Sequence, residues 1–137
     1  IALAGGAGSG KGADSGDSVS DAQSSALALA ESYGCVVAVS GPVDFITDGT
    51  RSASITGGSD LMPKVTALGC SLTALVGAYA AVAPSLDATI AAFVHFAEAG
   101  EQAAKGAQGP GSFSVAFLDA LYTLQPGDLS EGRVAWN

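Results

Sequence analysis

The stretch KVTALGCSLTALVGAYAAVAP, Lys64–Pro84, decides how the rest of the chain is read. Its second half is a run of small and apolar residues that stops at Pro84, the pattern of a closely packed helix. Its first half leads into Gly69 and Cys70, where that helix begins. The first N–H groups of a helix have no partner inside it. Together with the helix dipole they make a site for an anion. Gly69 permits close approach to the backbone, and Cys70 stands in the first turn, beside the positive end that favours a thiolate. The same residues also suit an ordinary helix start, because cysteine is among the most buried residue types.

Working outward, CVVAVS (Cys35–Ser40) is a short apolar run that reads as a buried parallel strand, broken by Gly41-Pro42. Val43–Gly49 and Thr50–Thr56 read as a hairpin around Asp48-Gly49. Upstream, Ser18 or Ser20 caps a helix that runs to Tyr33 and ends at Gly34. Downstream, helices are expected over Leu86–Lys105 and Ser112–Leu124. The second has Ser112 as its N-cap and an apolar stripe of Val115, Phe117, Leu118, Leu121 and Leu124. The tail after Pro126 carries little signal, although Val134-Ala135-Trp136 could dock. The order is an incomplete α/β pattern in a single domain.

The chain has 137 residues and a net charge of −8, with only five Lys and Arg and no cluster among them. That excludes the counterion-release mode of nucleic-acid binding, which needs grouped basic residues. Phosphate binding stays open, because backbone amides hold phosphate without side-chain charge. Cys35 and Cys70 make no disulfide framework, and one His95 makes no zinc site. No apolar run suits a bilayer span and no signal peptide is seen, so the expected compartment is the cytoplasm. The chain starts at Ile1, and IALA reads as the end of an apolar segment. A processed, truncated or partial chain is expected.

The Gly-rich stretch GGAGSGKGADS (Gly5–Ser15) imitates a nucleotide-binding P-loop, with Gly5, four residues, then Gly10 and Lys11. Gly12 occupies the place of the magnesium-binding hydroxyl, and no strand precedes the loop. Residues 5–17 therefore read as a loop. Other polar residues are weighed toward simple readings: Asp44 and Asp48 as hairpin residues over contacts to a nucleotide or metal, Lys64 as solvated or steering phosphate, the Glu98/Glu101 face as solvated, and His95 as packed or at the surface over catalytic.

VVAVSGPVDFITDG, KVTALGCSLTALVGA and GPGSFSVAFLDALYTL, preceded by GKGADS, resemble successive landmarks of the hydroxyethylthiazole kinase family. The resemblance implies a ribokinase-like α/β fold, with helices packed on a mostly parallel sheet, here incomplete at the N-terminus. Residues 1–137 would be the C-terminal part of a single kinase domain. It further implies transfer of the ATP γ-phosphoryl group, with Mg²⁺, to the hydroxyl of 4-methyl-5-(2-hydroxyethyl)thiazole in thiamine biosynthesis and salvage.

Val65 to Cys70 fall on the family's V-T-G-T-G-C signature. By this resemblance Cys70 is the catalytic base and Ala67 a substrate-binding position. Leu68 and Gly69 belong to the ATP-binding turn, and the amides from Ala67 to Cys70 hold the phosphoryl group. Ser40 stands where the family has an ATP-binding threonine. Ala67 replaces a family glycine and Leu68 a family threonine. The family's N-x-x-E metal motif would lie upstream of Ile1, so no metal ligand is assigned within the chain. The resemblance also implies a homotrimer, or completion by a complementary N-terminal segment. The alternatives are a non-catalytic half-domain completed by a partner chain, and a kinase of the same fold acting on another alcohol.

Overall fold

The structure, a computed structural model, describes residues 1–6, 10–11, 14–15 and 18–137. The chain divides into two compact units, Ile1–Ile55 with Ala135–Asn137, and Thr56–Val134.

In the first unit, β1 (Gly10–Lys11) and β2 (Asp14–Ser15) pair antiparallel where the sequence suggested loop alone. Gly12, the P-loop position in question, lies outside the described residues. Helix α1 (Val19–Tyr33) starts as its sequence directs. Ser18 accepts the Asp21 amide, and Asp21 accepts the Ser18 amide in return. It stops at Gly34, whose φ of 60° is the left-handed C-cap that glycine supplies. Ala26 and Ala30, one turn apart, are buried, and α1 packs on the strands that follow.

Strands β3 (Val37–Val39), β4 (Val43–Thr47), β5 (Ser52–Thr56) and β6 (Val134–Trp136) form one sheet in that order. β3 and β4 are antiparallel, with Ala38 opposite Ile46. This corrects the expectation of a parallel strand at Cys35–Ser40, as far as its pairing with β4 goes. Only Ser40, Gly41 and Pro42 separate the two strands, whereas parallel neighbours need a crossover of about a dozen residues. Phe45, Ile46 and Thr47 are all buried, so β4 loses the alternation of a half-exposed strand.

The β4–β5 connection is longer than the two-residue turn expected. Asp48 Oδ1 accepts the Thr50 and Arg51 amides at 2.9 and 2.7 Å, and Thr47 Oγ1 donates to the Arg51 carbonyl at 2.9 Å. The weak tail does dock. Asn137 donates its amide to the Ser52 carbonyl at 3.0 Å, and the Arg51 guanidinium lies 5.8 Å from the Trp136 ring centre.

The second unit holds α2 (Leu68–Val82), α3 (Leu86–Ala104) and α4 (Pro110–Thr123). α3 packs against both of the others and is the most buried, from Leu86 to Ala103. Ser85 caps it by accepting the Ala88 amide at 3.1 Å. α4 begins at Pro110 with Gly109 as N-cap, so Ser112 is not the cap. Its hydroxyl instead accepts the Gln108 amide at 2.9 Å.

The apolar stripe of α4 also differs from expectation. Phe113, Phe117 and Ala120 are buried, while Val115 and Leu118 are 65% and 61% exposed. The spacing i, i+4, i+7 puts the two phenylalanines on one face, and their larger apolar area decides which face turns inward. Phe117 meets Phe96 of α3 edge-on, with ring centres 4.9 Å apart. Glu98 and Glu101 are not a free solvated face either, because both pair with Arg133.

Candidate functional site

The candidate site grows from the segment that enters α2. Gly57 and Gly58 follow β5 with φ of 135° and 86°, a backbone that side chains rarely adopt. A Cβ on Gly58 or on Gly100 of α3 would run into the Met62 sulfur, so the thioether is seated between two glycines. The Ser59 amide donates to that sulfur at 3.3 Å. A short 3-10 turn, Met62–Lys64, follows, closed by the Val65 amide on the Met62 carbonyl at 3.1 Å.

Ala67 then takes φ 68° and ψ 10° as the N-cap of α2, the one non-glycine with positive φ among the described residues. This is a left-handed conformation that costs an L-residue roughly 1–2 kcal/mol. No side chain caps the helix, and its first internal bond runs from the Ser71 amide to the Ala67 carbonyl at 3.0 Å. The amides of Leu68, Gly69 and Cys70 therefore stay outside the helix's own ladder.

Leu68 is 9% exposed, so its bulk goes into the interior instead of standing over these amides. Gly69 and Cys70 are exposed, and a Cβ on Gly69 would meet nothing within 4 Å. Cys70 carries a free thiol. The hydroxyls of Ser71 and Thr73 donate back to the Ala67 and Gly69 carbonyls, at 3.2 and 3.0 Å. The structure thus brings Ala67, Leu68, Gly69 and Cys70 together in one turn: open amides beside an exposed sulfur. An anion such as a phosphoryl group suits that arrangement.

Ser40, the remaining sequence-predicted residue, belongs to the first unit, exposed at the end of β3. The next residue, Gly41, donates its amide to Asp44 Oδ1 at 2.9 Å. A Cβ on Gly41 would collide with the Val19 side chain of α1. Asp44 is half-buried, and burial pushes its carboxyl up to about 6 against the opposing Gly41 bond. The sequence reading treated Asp44 as a hairpin residue and missed this contact. Its signal was the spacing in S-G-P-V-D, where an aspartate three residues on can reach back to a turn amide.

His95 is a packing residue, as expected. Its Nδ1 lies 3.0 Å from the Tyr79 hydroxyl of α2, and burial holds its charged form down. Its Nε2 is buried with no partner in hydrogen-bond geometry, and the Leu121 carbonyl opposes the burial effect only in part. Among the described residues no three His, Cys, Asp or Glu side chains gather as a metal would require.

Helices on a sheet, with an amide-lined helix start as the candidate site, are the ribokinase-like α/β class, here in part. The hydroxyethylthiazole kinase family model matches residues 1–127. The chain belongs to the hydroxyethylthiazole kinase family. It is 60% identical over 131 residues to a hydroxyethylthiazole kinase of Roseobacter denitrificans, covering 96% of this chain and 51% of that protein. It is 56% identical over 138 residues to one from Gemmatimonas aurantiaca, covering 100% of this chain and 50% of that protein. The solved structure of a hydroxyethylthiazole kinase from Pyrococcus horikoshii OT3 superimposes with a TM-score of 0.79 at 35% identity, over 86% of this chain and 47% of that one. The chain thus spans about half the length of the curated relatives it matches.

Proposed function

We propose that the chain is the C-terminal part of a single hydroxyethylthiazole kinase domain and carries that enzyme's phosphoryl-transfer turn. The acceptor is the hydroxyl of 4-methyl-5-(2-hydroxyethyl)thiazole, and the donor is ATP with Mg²⁺. Cys70 Sγ takes the proton from the alcohol. The freed oxygen bonds to the γ-phosphorus, the bond from that phosphorus to the bridging oxygen breaks, and ADP leaves. The amides of Leu68, Gly69 and Cys70 face the charge that spreads over the moving phosphoryl oxygens. Ala67 lies toward the acceptor, and Ser40 contacts the nucleotide.

The observation that carries this reading is the pairing of an uncapped helix start with an exposed Cys70 on its first turn. The names of relatives about 60% identical favour it over the non-catalytic half-domain. Mg²⁺ accompanies the ATP phosphates. The homotrimer rests on the family resemblance. No described helix is long and apolar enough to cross a membrane.

The test is phosphate transfer from Mg-ATP to the thiazole alcohol. Cys70→Ala should lose turnover and keep ATP affinity. Undiminished turnover in that variant would remove the base assignment.

A further inference from the structure

We propose that Asp44 is a positioning residue for nucleotide binding: by accepting the Gly41 amide it fixes the Ser40–Pro42 turn in which Ser40 presents its hydroxyl. This rests on the reading above that Ser40 contacts ATP.

The turn is short and has few ways to be held. Pro42 has no N–H, so Ser40 and Gly41 are the backbone donors left between β3 and β4. The Gly41 amide goes to Asp44 Oδ1 at 2.9 Å. On its other side Gly41 lies so close to Val19 that only hydrogen fits at Cα. The turn is therefore gripped between the first residue of α1 and the carboxylate on the second residue of β4. A polar side chain that merely ended a strand would sit in water. Asp44 is half-buried instead, and burial favours its neutral form.

The ionised carboxylate is the stronger acceptor, so the grip tightens when Asp44 loses its proton. That change is centred at about 6. Among the described residues, the charged groups of the neighbouring elements have other neighbours. On α1, Asp21 bonds to Ser18, and Glu31 lies against Gly49 beyond the far end of β4. β3 and β5 carry no ionisable side chain. Asp48 and Arg51 pair with each other in the β4–β5 connection.

The experiment measures binding of a non-hydrolysable ATP analogue by calorimetry from pH 5 to 8. It compares the full chain with Asp44→Ala, Asp44→Asn, Ser40→Ala and the Ser40→Ala/Asp44→Ala pair. Asp44→Ala should weaken binding about five- to tenfold at pH 7, the share of one hydrogen bond. Asp44→Asn keeps an acceptor and should keep most of the affinity. It should also lack the part of the wild-type pH dependence centred near 6, and the analogue's own titration cancels in that comparison. Adding Asp44→Ala to Ser40→Ala should cost little more than Ser40→Ala alone.

Equal affinity and equal pH profiles for wild type and Asp44→Ala, with Ser40→Ala weakened, would overturn the inference and leave the Ser40 reading intact. An unchanged Ser40→Ala would remove that reading, and the inference with it. If Asp44→Ala fails to fold, Asp44→Asn still decides: a wild-type pH profile in that variant sinks the proposal.

Discussion

Arg133 closes a two-bond fork on Glu101, with Nη1 on Oε1 at 2.6 Å and Nη2 on Oε2 at 2.7 Å. Its Nε adds a bond to Glu98 at 2.7 Å, so one arginine gathers two carboxylates of α3. The guanidinium also lies against Gly57, where any side chain would collide with it. Arg133 lies beyond the last residue of the family match, yet it ties the tail to the helix at the centre of the second unit.

Arg133→Ala should therefore destabilise the chain by about 1–3 kcal/mol, toward the low end because Glu101 is partly solvated. Arg133→Lys should recover only part, since an ammonium cannot fork. Hydrogen bonding to Arg133, more than simple attraction, holds the Glu101 carboxyl below its ordinary value. A lowered carboxyl contributes stability above its unfolded value and loses it as pH falls through the folded one. The gap between wild type and Arg133→Ala in urea unfolding should thus narrow below about pH 4.5.

Asp44 has the opposite sign. Its carboxyl is raised to about 6 by burial, so its favourable contribution is complete below the ordinary value of 3.8 and is lost as pH rises through 6. Asp44→Asn has no charge to bury. Its stability relative to wild type should improve from pH 4 to about pH 6 and level off toward pH 7, as read from denaturation midpoints. A constant difference across that range would contradict the burial argument.

Ala67 stores strain at the start of α2. Ala67→Gly relieves the left-handed penalty and gives back part of it as unfolded-chain entropy. The expected result is a gain of about 0.5–1 kcal/mol in chemical denaturation. A loss would mean that the methyl group packs favourably enough to outweigh φ of 68°.

The two faces of α4 should separate sharply. Phe117→Ala removes a ring packed against Phe96 and Phe113 and should cost about 3–5 kcal/mol. Leu118→Ala, at a residue 61% exposed, should stay within about 0.5 kcal/mol. Thermal unfolding of the two variants side by side checks the assignment.

Much of this was legible in the residues because the signals were local. Ser18 and Gly34 mark the ends of α1 through bonds that span only three or four positions. Ala67 to Cys70 could be placed at a helix start from Gly69 and the apolar run alone. The direction of β3 was misread because an apolar strand pattern does not record its neighbour's orientation. The inward face of α4 was misread because two rings outweighed the aliphatic residues nearby.

By itself, the sequence determined the extents of α1, α2 and α3, and which four residues enter α2, because caps, turns and periodicity act through neighbours along the chain. Tertiary structure alone decided that Leu68 turns inward while Cys70 stays open, that Asp44 holds Gly41, and that Arg133 joins Glu98 and Glu101. Those outcomes depend on burial and on partners brought together by packing, in the last case from more than thirty residues away.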